Sequence, residues 1–127
     1  MIDRYLFRGK RTNGGDWVNG YLGPHNKSES TVRQWYIVVH VPELDYHYST
    51  NIDPNTIGQY TGLRDMTGTL IFEGDIVLGT GCAGEMLTEA VVYDAYGYSP
   101  FDYIRECDVE VVGNIHDNPE LLKEART

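Results

Sequence analysis

Apolar residues fall along this chain in short runs separated by Gly, Pro, Asn and Asp, a rhythm that predicts strands and turns. Gln34-Trp35-Tyr36-Ile37-Val38-Val39-His40-Val41 is the strongest run. Its apolar positions are nearly continuous, which predicts a strand covered on both faces. Ahead of it, Arg4-Tyr5-Leu6-Phe7-Arg8 and Asp16-Trp17-Val18-Asn19-Gly20-Tyr21-Leu22 flank Asn13-Gly14-Gly15, a tight-turn signal. Together they predict a hairpin, with Gly20 as a bulge position. Tyr46-His47-Tyr48-Ser49-Thr50 predicts a short partner strand, and Asp53-Pro54-Asn55 a turn beside a lobe boundary.

The second half repeats the rhythm with shorter runs. Thr69-Leu70-Ile71-Phe72, Ile76-Val77-Leu78, Ala90-Val91-Val92-Tyr93 and Val109-Glu110-Val111-Val112 predict strands. Asp65-Met66-Thr67-Gly68 predicts a turn with Gly68 left-handed, and Glu73-Gly74-Asp75 a bend. Only the C-terminus predicts a helix: Asn118 suits the N-cap, Pro119 the first turn, and Glu120 the positive end of the helix dipole. Short turns favour antiparallel pairing, because parallel strands need long crossovers. The expected fold is therefore mainly β: an N-terminal β lobe over 1–55, then an SH3-like small barrel with a terminal helix over 56–127.

Composition narrows the setting. The 127 residues are 41% hydrophobic and hold ten tyrosines. No apolar run is long enough to span a bilayer as a helix, and the start lacks the pattern of a secretory signal. Cys82 and Cys107 predict two reduced thiols, not a disulfide framework, which points to the cytoplasm. The net charge of −9 opposes generic binding to phosphate backbones. It is uneven, however, and the basic start invites an acidic surface on this chain or a second copy.

Candidate chemistry is thin. Gly79-Thr80-Gly81-Cys82-Ala83-Gly84 matches G-x-G-x-x-G, but the next strand begins too soon for a crossover helix, and Glu85 and Glu89 would repel a phosphate. It reads as a loop between antiparallel strands, and no cofactor is expected. His40, Asp45 and His47 offer nitrogen and oxygen ligands for a metal, yet alternation along strands can send the two histidines to different faces. Cys107 between Glu106 and Asp108 is a poor nucleophile, because carboxylates raise a thiol pKa. Glu73 and Asp75 would act as acid and base only in a closed pocket, and capping the bend is the simpler role for Asp75. The aromatic set Tyr93, Tyr96, Tyr98, Phe101 and Tyr103 reads as core packing. Arg4, Arg8, Lys10 and Arg11 are the candidate contacts to a nucleic acid or protein partner.

Three stretches carry a family resemblance. They are Phe7-Arg8-Gly9-Lys10 with Trp17-Val18-Asn19-Gly20-Tyr21, the block from Thr56 through Gly62-Leu63-Arg64-Asp65 to Ile76-Val77, and Val112-Gly113-Asn114-Ile115-His116-Asp117-Asn118-Pro119-Glu120-Leu121. In order and spacing they resemble the YopX-like family of bacteriophage and prophage proteins. The resemblance implies a phage or prophage accessory protein in a bacterial cytoplasm, with no activity or catalytic residue to carry over. Physically, Gly58, Gly62, Asp65, Gly68, Gly74, Asp75, Asn118 and Pro119 read as a folding signature of turns, bends and a helix start. The leading functional expectation is a non-enzymatic module that binds a host or phage protein or assembles with itself. The alternative is a nucleic-acid-binding small barrel using the basic N-terminal strand, and a metal enzyme at His40, Asp45 and His47 is the remaining rival. No membrane partner is expected.

Overall fold

The computed structural model describes residues 6–25, 34–81, 83–94, 97–101, 104–105 and 108–125. The chain divides into two compact units that meet in sequence at Gln59 and Tyr60.

The first unit is a run of antiparallel strands, β1 (Leu6–Lys10), β2 (Trp17–His25), β3 (Gln34–Val41) and β4 (Tyr46–Ile52), each paired with the next. The turn between β1 and β2 works because Gly14 and Gly15 adopt φ of +106° and +73°, conformations that cost a side-chain-bearing residue but not glycine. A 3-10 turn over Pro42–Leu44 joins β3 to β4, with Asp45 left-handed at φ +47°. At its end β1 also approaches β4: Arg11 bridges Ile52, Thr12 N donates to the Asn51 carbonyl at 3.1 Å, and Asp53 N donates to the Lys10 carbonyl at 2.8 Å. One face of this sheet is the core side, carrying Gly9, Gly20, Ile37 and Ile52, all buried.

Gly20 is not a bulge. Its pairing with Phe7 lies in unbroken register. Glycine is required there because a Cβ would meet the Val38 carbonyl, with Ile37 Cγ2 only 2.9 Å away. The apolar run of β3 is fully buried only at Ile37. Trp35 and Val39 on the same face and Tyr36 and Val38 on the opposite one are half-buried, and His40 is exposed.

β5 (Gly58–Arg64) starts in the first unit, where Gln59 and Gly58 pair with Phe7 and Arg8. Its later residues pair with β6 (Leu70–Phe72) around an irregularity between Tyr60 and Arg64, where Gly62 has φ +85°. The second unit continues with β7 (Asp75–Thr80), β8 (Met86–Ala90), β9 (Val92–Asp94), β10 (Gly97–Ser99), β11 (Val109–Asn114) and α1 (Glu120–Ala125). β7 lies between β11 and β8, and β9 pairs with β10, all antiparallel. Ile71, Val77, Val91, Ile104 and Val109 form its buried core. The fold is thus mainly β and antiparallel, with one short C-terminal helix. Among the described residues no helix is long and apolar enough to cross a membrane.

Candidate interaction surface

Side chains directly opposite one another in an antiparallel ladder share a face, and alternate residues face opposite ways. In the first unit Arg8 pairs with Asn19, Lys10 with Trp17, Leu6 with Tyr21, Tyr21 with Val38, and His40 with His47. These residues therefore lie together on the outer face, opposite the side that carries Gly9, Gly20, Ile37 and Ile52. Contacts agree with the register. The Arg8 guanidinium carbon sits 4.7 Å and Lys10 Nζ 5.6 Å from the Trp17 ring centre. Tyr36 covers its cross-strand partner Gly23, where a Cβ would come 2.6 Å from the ring. Tyr21 is 51% exposed. The outer-face ladder positions bring together cations and rings and carry no Asp or Glu.

The four basic residues singled out in the sequence do not form one patch. Arg8 and Lys10 belong to the outer face. Arg11 is bound elsewhere, donating from Nε to Thr50 Oγ1 at 3.1 Å and from a terminal nitrogen to Asp16 at 3.4 Å. Arg4 lies outside the described residues, as do Cys82, Tyr96, Tyr103 and Cys107. The outer-face rings Trp17, Tyr21 and Tyr36 were not singled out with them. The available signal was the alternation Trp17-Asn19-Tyr21, which shares its phase with Arg8 and Lys10.

His40 and His47 share a face because they pair directly across the β3–β4 hairpin, so alternation does not separate them. Their rings stack at 4.3 Å with 16° between planes. A metal ion lies in the plane of each imidazole that binds it, so two stacked rings in this arrangement do not point their nitrogens at one ion. His40 Nε2 stands 4.0 Å from Asp45 Oδ1, whose side chain is fully exposed. No group of three or more His, Cys, Asp or Glu among the described residues is placed to hold a metal.

The edge of β4 is a second surface feature. Asn51 O and Asp53 N point away from β3 towards β1. Alternation then directs the N–H and C=O of His47 and Ser49 outward, while Tyr46, Tyr48, Thr50 and Ile52 face β3. Among the described residues no ladder covers the stretch Tyr46–Ser49 on that side. The segment Tyr46-His47-Tyr48-Ser49-Thr50-Asn51-Ile52 also lacks the Lys and Pro that commonly guard edges.

In the second unit the signature residues sit in hydrogen-bonded turns. Asp65 is buried, and its Oδ1 accepts from Thr67 N at 2.9 Å, Thr67 Oγ1 at 2.7 Å and Thr69 N at 2.9 Å, while Oδ2 accepts from Val111 N at 2.9 Å. Burial raises its pKa, but these donors outweigh it and hold the carboxyl below the ordinary value of 3.8. Gly68 closes the turn at φ +88°, and Gly74 has φ +92° with its N–H on the Val91 carbonyl at 2.8 Å. Asp75 is 1% exposed and accepts from Phe72 N at 2.7 Å. Asn118 turns its side-chain oxygen back to the Asn114 N–H at 3.2 Å, and Pro119 precedes α1. Asn114 Oδ1 in turn accepts from His116 N at 3.0 Å and Asp117 N at 2.9 Å.

The G-x-G-x-x-G stretch occupies the β7–β8 hairpin. Gly79 lies against Val109, where a Cβ would come 2.7 Å from Cγ1, and Gly81 N donates to the Glu85 carbonyl at 2.8 Å. Its glycines are used by packing and by the turn. Of the aromatic set, Tyr93 is 67% exposed, Tyr98 meets it edge-on at 5.1 Å, and Tyr98 and Phe101 pack on the core.

A family model described as YopX protein matches residues 6–123. The solved structure of protein EF1440 from Enterococcus faecalis is similar, with 22% identity and a TM-score of 0.52 over 91% of this chain and 96% of that one. A likeness at that identity speaks to the fold alone. No curated protein matches the chain.

Proposed function

We propose, from the premise that this chain belongs to the YopX family, that it is a non-enzymatic interaction protein that associates with a second copy of itself. The outward edge of β4 carries the reading. Antiparallel pairing of β4 with the β4 of another copy is self-complementary about a two-fold axis, so each His47 and Ser49 offers its N–H and C=O to the other chain. The same edge suits an extended segment of a host or phage protein. The family resemblance supports a phage or prophage accessory role in a bacterial cytoplasm.

Light scattering on size-separated full-length protein tests self-association. The expected result is a dimer at high micromolar concentration that dissociates on dilution. Ser49→Pro removes an outward N–H without touching the β3 ladder and is expected to give a folded monomer. A wild-type monomer at the highest soluble concentration, or a Ser49→Pro dimer of unchanged strength, overturns the proposal.

A further inference from the structure

We infer that β4 meets the β4 of a second copy about a two-fold axis at Tyr48, so that Tyr48 faces its own counterpart and fixes the register of the dimer. This register rests on the self-association proposed above and adds where the axis falls and which side chain lies on it. The edge leaves little choice. At one end Asp45 is left-handed at φ +47° and its N–H is held by the Pro42 carbonyl at 3.3 Å. At the other end the Asn51 carbonyl and the Asp53 N–H are taken by Thr12 and Lys10. Between them the outward groups belong to His47 and Ser49. A register with His47 opposite His47 sets Ser49 against Asp45, and one with Ser49 opposite Ser49 sets His47 against Asn51. Only His47 opposite Ser49 lets both residues of both copies exchange N–H and C=O.

That pairing makes Tyr48 and the Tyr48 of the second copy a non-hydrogen-bonded pair, where antiparallel Cα atoms come closest, about 4.5 Å, and side chains meet. Tyr48 alternates onto the face of β4 that carries Ile52. Ile52 is buried, but towards the β3–β4 turn burial falls away: Tyr48 is half-buried, and Tyr46 and Leu44 are exposed. Tyr46 stacks on Tyr48 with ring centres 6.1 Å apart and 24° between planes. The second copy extends this pair into a zigzag row of tyrosines across the axis, and aromatic cross-strand pairs are among the favourable ones. On the other face His47 stands opposite Ser49 of the second copy, so no charged side chain directly faces its like. A foreign strand can use the same main-chain groups, but a second copy always brings a tyrosine to the place where Tyr48 needs cover.

Cysteine scanning of the full chain, with Cys82 and Cys107 replaced by Ser, tests the register. Cysteines at a non-hydrogen-bonded antiparallel pair fall within the span of a disulfide. Under mild oxidation Tyr48→Cys is expected to run mostly as a dimer on a non-reducing gel. His47→Cys and Ser49→Cys each lie diagonally from their own counterparts and are expected to cross-link at least about fivefold more slowly. Tyr48→Lys and Tyr48→Glu are each expected to weaken the dimer by about tenfold in light scattering, and their equimolar mixture to associate more tightly than either alone, because lysine then meets glutamate across the axis. Gain on mixing cannot come from a misfolded chain. A cross-link strongest at 47 or 49, no cross-link at 48, or charge variants that associate no better mixed than alone overturns the register. If the wild type still dimerises in light scattering, self-association stands and the register alone has failed. A wild type that stays monomeric fails both.

Discussion

The two units differ in how much polar chemistry they bury. In the first, strands up to nine residues long pair in regular register, and a single buried polar residue among those described, Thr56, accepts from a backbone N–H at 2.8 Å. In the second, most strands are shorter, the ladders are interrupted, and polar side chains are turned inward. Asp65, Asp75 and Asn114 are all buried there, satisfying backbone N–H groups that interrupted ladders leave over. A long ladder satisfies its own backbone, whereas broken ones need side-chain acceptors, because a buried unpaired N–H costs about 1–3 kcal/mol. The lesson is that the strongest sequence signature marks the unit that needs help to fold, while the surface best suited to binding lies on the unit that does not.

The sharpest way to break this contrast is Asp65→Ala. It removes the acceptor for four donors at once and is expected to lower unfolding stability by about 3 kcal/mol in urea titration. Protection from hydrogen exchange should fall at Thr69 and Val111. A loss below about 0.5 kcal/mol would mean that the turn is satisfied in other ways.

The same residue sharpens the contrast through pH. The folded carboxyl titrates below its ordinary value, so the unfolded chain binds the proton first as pH falls. Asp65 therefore contributes its full stabilisation above about pH 4 and loses it as pH drops through the lower folded value. Wild type and Asp65→Ala should converge in stability across that acidic window. A gap that stays constant there would assign the loss to packing alone.

Gly20→Ala probes the first unit in its own terms. The added Cβ meets a carbonyl within the sheet, which cannot swing aside as a side chain does. The expected cost is about 2 kcal/mol, with hydrogen exchange rising along β2 and β3. Asn118→Ala is the mildest test. It removes one side-chain acceptor from the Asn114 N–H and is expected to cost about 1 kcal/mol.

Much of this was legible before any coordinates. Short runs with Gly and Asn punctuation carry their own conformational preferences, so the mainly β antiparallel class, the β1–β2 turn at Gly14 and Gly15, the left-handed Gly68 and the terminal helix follow from local chemistry. The family was legible too, in the order and spacing of three stretches, and the family model matches residues 6–123. Local chemistry also spoke against a nucleotide cradle at Gly79–Gly84, since a loop that short has no room for a crossover helix.

What local chemistry does not hold is which residues stand opposite each other across a ladder. That pairing sends Arg11 to Thr50 and Asp16, away from Arg8 and Lys10. It stacks His40 on His47, which alternation along a single strand would leave undecided. It also turns Asn118 back onto Asn114, where the sequence alone presents an ordinary helix cap. The propensity for extended chain resides in each residue and its neighbours, and this the sequence determined by itself. Register is a property of two strands brought together, so the face shared by Arg8, Lys10, Trp17, Tyr21 and Tyr36, and the edge of β4 that no ladder covers among the described residues, were decided only by the tertiary structure.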